Sequence, residues 1–357
     1  MAWSPTNLNQ HTDKVDSILH IKGLAKLLQD LVPDDAYCNL NLCVNGLRQQ
    51  GKHKLSGYNL YVLGIWFEVF DDDWFYQIYI DNPQANFLIL TDLDARDLQL
   101  LPRVTVINLL QWKYWYNNYT VPDVDWTNKT YKISSLSNRI TQYRYYVTAA
   151  LLRRTDVFFT WNYNQVPGNH HAHIYGTTGW PRRDQLLAQC ANKLNQPINA
   201  EIFVNDPAVS LNLSSAHPAY ANSLVNSINE NKDVTWTANL GFGPGPYMTE
   251  KTWKPLMSGC ALLFSGAYGT KHRLEQIGFA FDYPWSNDYD QITGDLERLE
   301  QILNTIDTIL DMSHQHIITH IQSSIEHNQN ILINGQVSKY IDQVNQQGFD
   351  LLTKYFK

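Results

Sequence analysis

The sequence predicts an α/β protein made of two Rossmann-like domains, and three observations carry that expectation. Short apolar runs bounded by turn residues, such as Phe87–Thr91 and Val104–Leu109, have the length and composition of buried parallel strands. Segments of helical periodicity alternate with such runs, as they do in βαβ units. A chain of 357 residues is also too long for one typical core and fits two domains of about 120–230 residues. The boundary is expected within residues 116–130, which are polar, aperiodic and interrupted by Pro122. That gives a first domain over 1–125 and a second over 126–357.

Taken in order, residues 13–31 repeat apolar positions at helical spacing, with Gly23 as one costly interruption. Strands are expected at Tyr37–Val44, Asn59–Ile65, Phe75–Ile80, Phe87–Thr91 and Val104–Leu109. The first three read as paired or mixed. The last two read as parallel and buried, joined by an Asp-rich turn and a short helix. Beyond the linker, a strand at Tyr131–Leu136, a helix at Tyr143–Arg153 and a strand at Val157–Trp161 open the second unit. Residues 162–230 are loop-rich, with helices expected near Arg183–Leu194 and Ala219–Asn229. Strands Val234–Ala238 and Ala261–Ser265 and a helix over Lys271–Ile277 complete the unit. The tail reads as three helices: Ile292–Leu310, Ser313–Asn328 and Val337–Tyr355.

The net charge of −7 argues against a broad surface that tracks phosphates. Eleven Trp and 21 Tyr exceed ordinary packing needs, so some rings are expected in a groove where they stack on sugars or bases. Cys38, Cys43, Cys190 and Cys260 lack ligand spacing beyond a weak Cys-x4-Cys and read as reduced core thiols. The first residues lack the basic and apolar regions of a signal peptide, and no apolar run reaches the roughly 18 residues of a membrane span. A cytoplasmic protein is expected, in the cytoplasm of a host cell if a phage encodes it.

One segment narrows function more than any other. After a turn rich in Gly and Pro (Gly241, Gly243, Pro244, Gly245, Pro246), residues 247–259 read Tyr-Met-Thr-Glu-Lys-Thr-Trp-Lys-Pro-Leu-Met-Ser-Gly. Thr249 suits an N-cap and Gly259 a C′ stop, so a short helix is expected between them. Its first-turn N–H groups, its dipole and Lys251 together favour a diphosphate. Glu250 can accept hydrogen bonds from ribose or sugar hydroxyls. These residues suit a nucleotide-sugar donor.

This Tyr-x-Thr-Glu-Lys motif, Tyr247 to Lys251, resembles the donor-site motif of α-1,3-fucosyltransferase-like glycosyltransferases. It is more similar still to phage and bacterial glycosyltransferases that carry Thr-Glu-Lys-Thr-Trp-Lys-Pro. The resemblance extends through Lys271–Phe279 and Asp282–Asp290, and to Ser134–Arg144, where those proteins carry an Asn-Arg…Arg element. It does not reach residues 1–125. It implies a GT-B architecture, in which two Rossmann-like domains face a cleft and the second holds the donor. It also implies C-terminal helices packing back on the first domain.

Donor-binding candidates are therefore Asn138, Arg139, Arg144, Tyr247, Thr249, Glu250 and Lys251. Arg139 follows a strand end, where a guanidinium can grip a diphosphate with two donors. Arg144 falls inside the next helix, and an ordinary solvated helix Arg is the plain alternative. Arg182 and Arg183 form a second basic pair. An inverting transfer needs a general base, which the resemblance assigns to the first domain. Asp92, at the end of an apolar strand and expected to point into the cleft, and Glu68, followed by Asp71–Asp73, are the catalytic candidates. Each competes with a capping or turn role. Asp92-x-Asp94 is also the pattern of a metal-dependent GT-A site, but the Lys and Arg equipment makes a metal redundant, and no metal is assigned. His170, His171 and His173 read as a polar loop.

The leading reading is a metal-independent, inverting glycosyltransferase, with a nucleoside-diphosphate sugar as co-substrate, no cofactor, and a glycan or polysaccharide hydroxyl as acceptor. One alternative changes the acceptor to a hydroxylated base in phage DNA. In that reading Lys52, Lys54, Arg96, Arg103 and the Trp/Tyr-rich stretch 112–119 grip an extruded nucleotide. A second alternative is a non-catalytic nucleotide-sugar-binding module.

Overall fold

The computed structural model describes residues 21–40, 57–65, 72–92, 96–112, 121–137, 147, 150–151, 157–161, 222–227, 248, 250–264, 269–292 and 294–357. These residues form a mixed α/β protein with two four-stranded parallel sheets. The chain divides into two compact units, and Val337–Lys357 belongs with the N-terminal residues.

In the first unit, strands β1 (Tyr37–Asn39), β2 (Leu60–Ile65), β3 (Asn86–Thr91) and β4 (Val104–Asn108) lie in the order β1-β2-β3-β4. All neighbours are parallel, including β1 and β2, which were expected to be paired or mixed; Leu60 pairs with Asn86 and Phe87 with Val104. Alternate residues supply two separate cores, as the pleat requires. Val62, Leu88, Leu90 and Ile107 face one side, with Leu24, Ala25 and Leu28 of helix α1 (Leu24–Leu31) and Leu352 of the C-terminal helix (Gln336–Tyr355). Tyr61, Leu63, Phe87 and Ile89 face the other, with Phe75 and Ile78 of helix α2 (Asp72–Asp81). Helices thus cover both faces, which is why Leu60–Leu63 of β2 and Phe87–Leu90 of β3 are apolar runs rather than alternating ones.

Two expectations fail here. Phe75–Ile80 is helical, not a strand. Its aromatic and β-branched content suggests a strand, but Phe75, Ile78 and Asn82 are buried at helical spacing, and Asp72 and Asp73 suit the first turn of a helix. The helix expected over 13–31 does not run through Gly23, which takes φ 85° and directly precedes α1.

The C-terminal helix is fastened to the end of β4. A Cβ on Gly348 would stand 2.6 Å from both the Asn108 carbonyl oxygen and Leu109 Cδ2, so only glycine allows the approach. One turn earlier, the Asn345 amide bonds the Leu110 backbone, and Tyr340 stacks on the buried Trp112 at 6.3 Å.

In the second unit, strands β5 (Tyr131–Ser137), β6 (Val157–Trp161), β7 (Ser223–Ser227) and β8 (Ala261–Leu263) lie in the order β6-β5-β7-β8, all parallel. Val147, Ala150 and Leu151 are helical, in the segment between β5 and β6. Residues 223–227 form a strand where a helix near Ala219–Asn229 was expected. Ser-Leu-Val-Asn-Ser carries only two apolar residues, and a run this short has no period of its own; pairing on both sides decides it. The expected helix near Arg183–Leu194 and strand Val234–Ala238 lie outside the described residues.

Helix α3 (Glu250–Met257) precedes β8 and helix α4 (Thr270–Glu275) follows it. Two longer helices, α5 (Asp295–Asp311) and α6 (His314–Ile333), close the unit. Ser313 caps α6 by accepting a hydrogen bond from the His316 N–H at 3.2 Å. Among the described residues no helix is long and apolar enough to cross a membrane.

Candidate functional site

The order β6-β5-β7-β8 means that the chain leaves β5 to one side, for β6, and then returns to its other side, for β7. Such a reversal is a topological switch point, and the carboxyl ends of the strands beside it are where open parallel sheets bind ligands. Here those ends are Ser137 of β5 and Ser227 of β7. In the sequence, Asn138 and Arg139 follow Ser137 directly.

The direction of α3 follows from how it ends. Gly259, at φ 68°, donates its N–H to the Leu256 carbonyl, and Cys260 donates to that of Pro255. This pair of bonds is a Schellman motif with Gly259 at C′, as the sequence predicts. A Cβ on Gly259 would sit 2.3 Å from Val124 Cγ2, which reinforces the choice of glycine. Ala261 opens β8 two residues later, so the C-terminus of α3 lies at the amino end of the sheet. The eight-residue helix then points its N-terminus toward the carboxyl end, roughly 12 Å away at 1.5 Å per residue. Glu250 and Lys251 form its first turn. Behind them, Thr252, Trp253, Leu256 and Met257 are buried and anchor the helix. Pro255 has no N–H to give the Lys251 carbonyl, so one ladder bond is missing near this end.

The amino edge of the same sheet is held by Lys129, at 4% exposure. Its ammonium donates to the carbonyls of Ser223 (2.8 Å) and Ser258 (3.3 Å), the latter just past the negative end of α3. The Cys260 thiol donates to the same Ser223 carbonyl, and burial pushes its pKa up despite the nearby ammonium. Cys38 is buried too, with its thiol pushed up to about 12; both are free cysteines. Cys43 and Cys190 lie outside the described residues.

The segment 281–290 covers β8. The Tyr283 and Tyr289 hydroxyls accept hydrogen bonds from the backbone N–H groups of Leu262 and Phe264, and burial raises both phenols. Asn328 of α6 holds Ala280 through two hydrogen bonds of 2.8 Å. Asp290 accepts from the His272 N–H in the first turn of α4, a cap supplied from 18 residues away. Burial pushes its carboxyl up to about 6, while the N–H groups of Lys271 and His272 and the Arg298 guanidinium pull the other way. Sequence reasoning singled out this block only as part of a resemblance. The caps and edge contacts were missed because they join residues distant in the chain.

Of the remaining candidates, Asp92 does stand at the carboxyl end of β3, but its side chain is buried at 1% exposure. Asn138, Arg139, Arg144, Tyr247, Thr249, Glu68, Asp94, Arg182, Arg183 and the His170–His173 segment lie outside the described residues. Only the backbones of Glu250 and Lys251 are described. Among the described residues no three His, Cys, Asp or Glu side chains are grouped to hold a metal ion.

Two supports of the DNA reading are committed elsewhere. Arg103 donates to the carbonyls of Asn82 (2.9 Å) and Ala85 (2.6 Å) and lies 4.5 Å over the Tyr79 ring, at the amino end of its sheet. Trp112 is fully buried.

No protein-family model, curated protein or solved structure matches the chain.

Proposed function

We propose that this protein is a GT-B glycosyltransferase that moves a sugar from a nucleoside-diphosphate sugar to a hydroxyl of a glycan or polysaccharide. The observation that carries the reading is the doubly wound order of the second sheet. Its switch point gathers the end of β5, from which Asn138 and Arg139 follow, on the side toward which the N-terminus of α3 points. The diphosphate binds the first-turn N–H groups of α3, with Lys251 and Arg139 adding charge-assisted bonds. Glu250 accepts from ribose hydroxyls, and Tyr247, Thr249 and Arg144 complete the donor site.

In the transfer, a carboxylate of the first unit, Asp92 or Glu68, takes the acceptor proton. The acceptor oxygen bonds to the anomeric carbon with inversion, and the bond from that carbon to the diphosphate breaks. The electron pair leaves on the diphosphate, where Lys251 and Arg139 stabilise it in place of a metal. Turnover of Asp92→Asn and Glu68→Gln tells the two bases apart, the true one losing roughly 10²–10⁴-fold.

The test is release of nucleoside diphosphate from a panel of nucleotide sugars, with and without EDTA. Release that persists in EDTA supports the reading. No release from any donor contradicts it, and loss in EDTA restored by Mn²⁺ would return the chemistry to Asp92 and Asp94.

A further inference from the structure

We infer that His316 and His320 form a chelating site for a borderline divalent transition-metal ion (Zn²⁺, Ni²⁺ or Cu²⁺) on the solvent face of α6. The two residues are four apart, hence neighbours on one helix face, and both are exposed. Their rings approach to 4.2 Å between centroids at an interplanar angle of 41°. His320 Nδ1 lies 2.7 Å from the His316 carbonyl oxygen. That oxygen can only accept, so Nδ1 carries the proton, and the neutral ring in this tautomer has its lone pair on Nε2. A ligating imidazole commonly has this arrangement, with the second nitrogen bonded to a backbone carbonyl that fixes the tautomer.

The backbone beneath is fixed as well, since the His316 N–H is held by the Ser313 cap. The other histidines of α6 are used differently. His314 and His327 each direct Nε2 at a carbonyl, of Thr130 and Gly278 respectively, both at 2.9 Å, and so tie the helix to its surroundings. Two imidazoles suit the three named ions better than Mg²⁺ or Ca²⁺, which prefer oxygen. Water or an external ligand fills the other coordination positions, so the site is open. Neither histidine is among the residues proposed to bind the donor.

Calorimetric titration of the full chain with NiCl₂ and ZnCl₂ tests the site, using His316→Ala, His320→Ala and a His170→Ala/His171→Ala/His173→Ala variant. Each single variant should bind at least about tenfold more weakly at one site, because chelation is lost. The metal should raise the melting temperature of the wild type more than that of either single variant. Without metal, both single variants should melt with the wild type, since surface substitutions rarely shift stability by more than about 0.5 kcal/mol. The triple variant should keep the site. An unchanged isotherm in His320→Ala, or loss of the site in the triple variant, overturns the assignment.

Discussion

The Asn345 side-chain amide acts as a strand partner for Leu110. It accepts from the Leu110 N–H at 2.6 Å and donates to the Leu110 carbonyl at 2.9 Å. Leu110 is fully buried just past β4. The C-terminal helix is thereby joined to residues 235 positions earlier in the chain.

Asn345→Ala should therefore destabilise the protein by about 2–4 kcal/mol, as two buried backbone groups lose their partners. Urea unfolding followed by tryptophan fluorescence gives the value. A change below about 0.5 kcal/mol would show that the helix is held by Leu352 and its neighbours alone.

Lys129→Met keeps the length of the side chain and removes the ammonium. The Ser258 and Ser223 carbonyls then each lose the ammonium, while the Cys260 thiol still donates to Ser223. A loss of about 1–3 kcal/mol is expected, measured as a lower denaturation midpoint at unchanged m-value. Equal stability of Lys129→Met and wild type would mean that burying the charge costs as much as its bonds return.

Asp290 sets a pH dependence whose sign is fixed. Its carboxyl is raised from 3.8 to about 6, mainly by burial. The folded chain thus holds a proton that the unfolded chain releases between those values. The resulting stability is complete below pH 3.8 and is lost as pH rises through about 6, by an amount of order 3 kcal/mol. Asp290→Asn resembles the protonated form and keeps an acceptor for the α4 N–H groups. Between pH 4 and 7, its stability relative to wild type should rise by that order. Parallel stability curves for the two proteins across this range would contradict the assignment.

What was legible in the sequence follows from where the information sits. β3 was readable from the apolar run Phe87–Leu90 and β4 from the β-branched cluster Val104–Ile107, each bounded by turn residues, and Gly259 because helix stops are local. Phe75–Ile80 was misread because β-propensity and helical burial give opposite answers for the same residues. β7 was misread because five residues cannot display a period, and its two parallel neighbours lie far away in the chain. At the candidate site, the start of α3 was legible as a local cap-and-charge pattern. The switch point was not, since strand order is a property of the whole sheet. The cap that Asp290 gives to α4 and the bonds from Lys129 escaped for the same reason.

Isothermal titration of nucleoside diphosphates into wild type and Lys251→Ala tests the central claim most directly. The account predicts that at least one diphosphate binds the wild type. In Lys251→Ala, binding should weaken at least tenfold, from loss of a charge-assisted contact worth about 1.5–3 kcal/mol, with the melting temperature of the free protein unchanged. Equal affinity in the two proteins, or no binding of any nucleoside diphosphate or nucleotide sugar to the wild type, would contradict it.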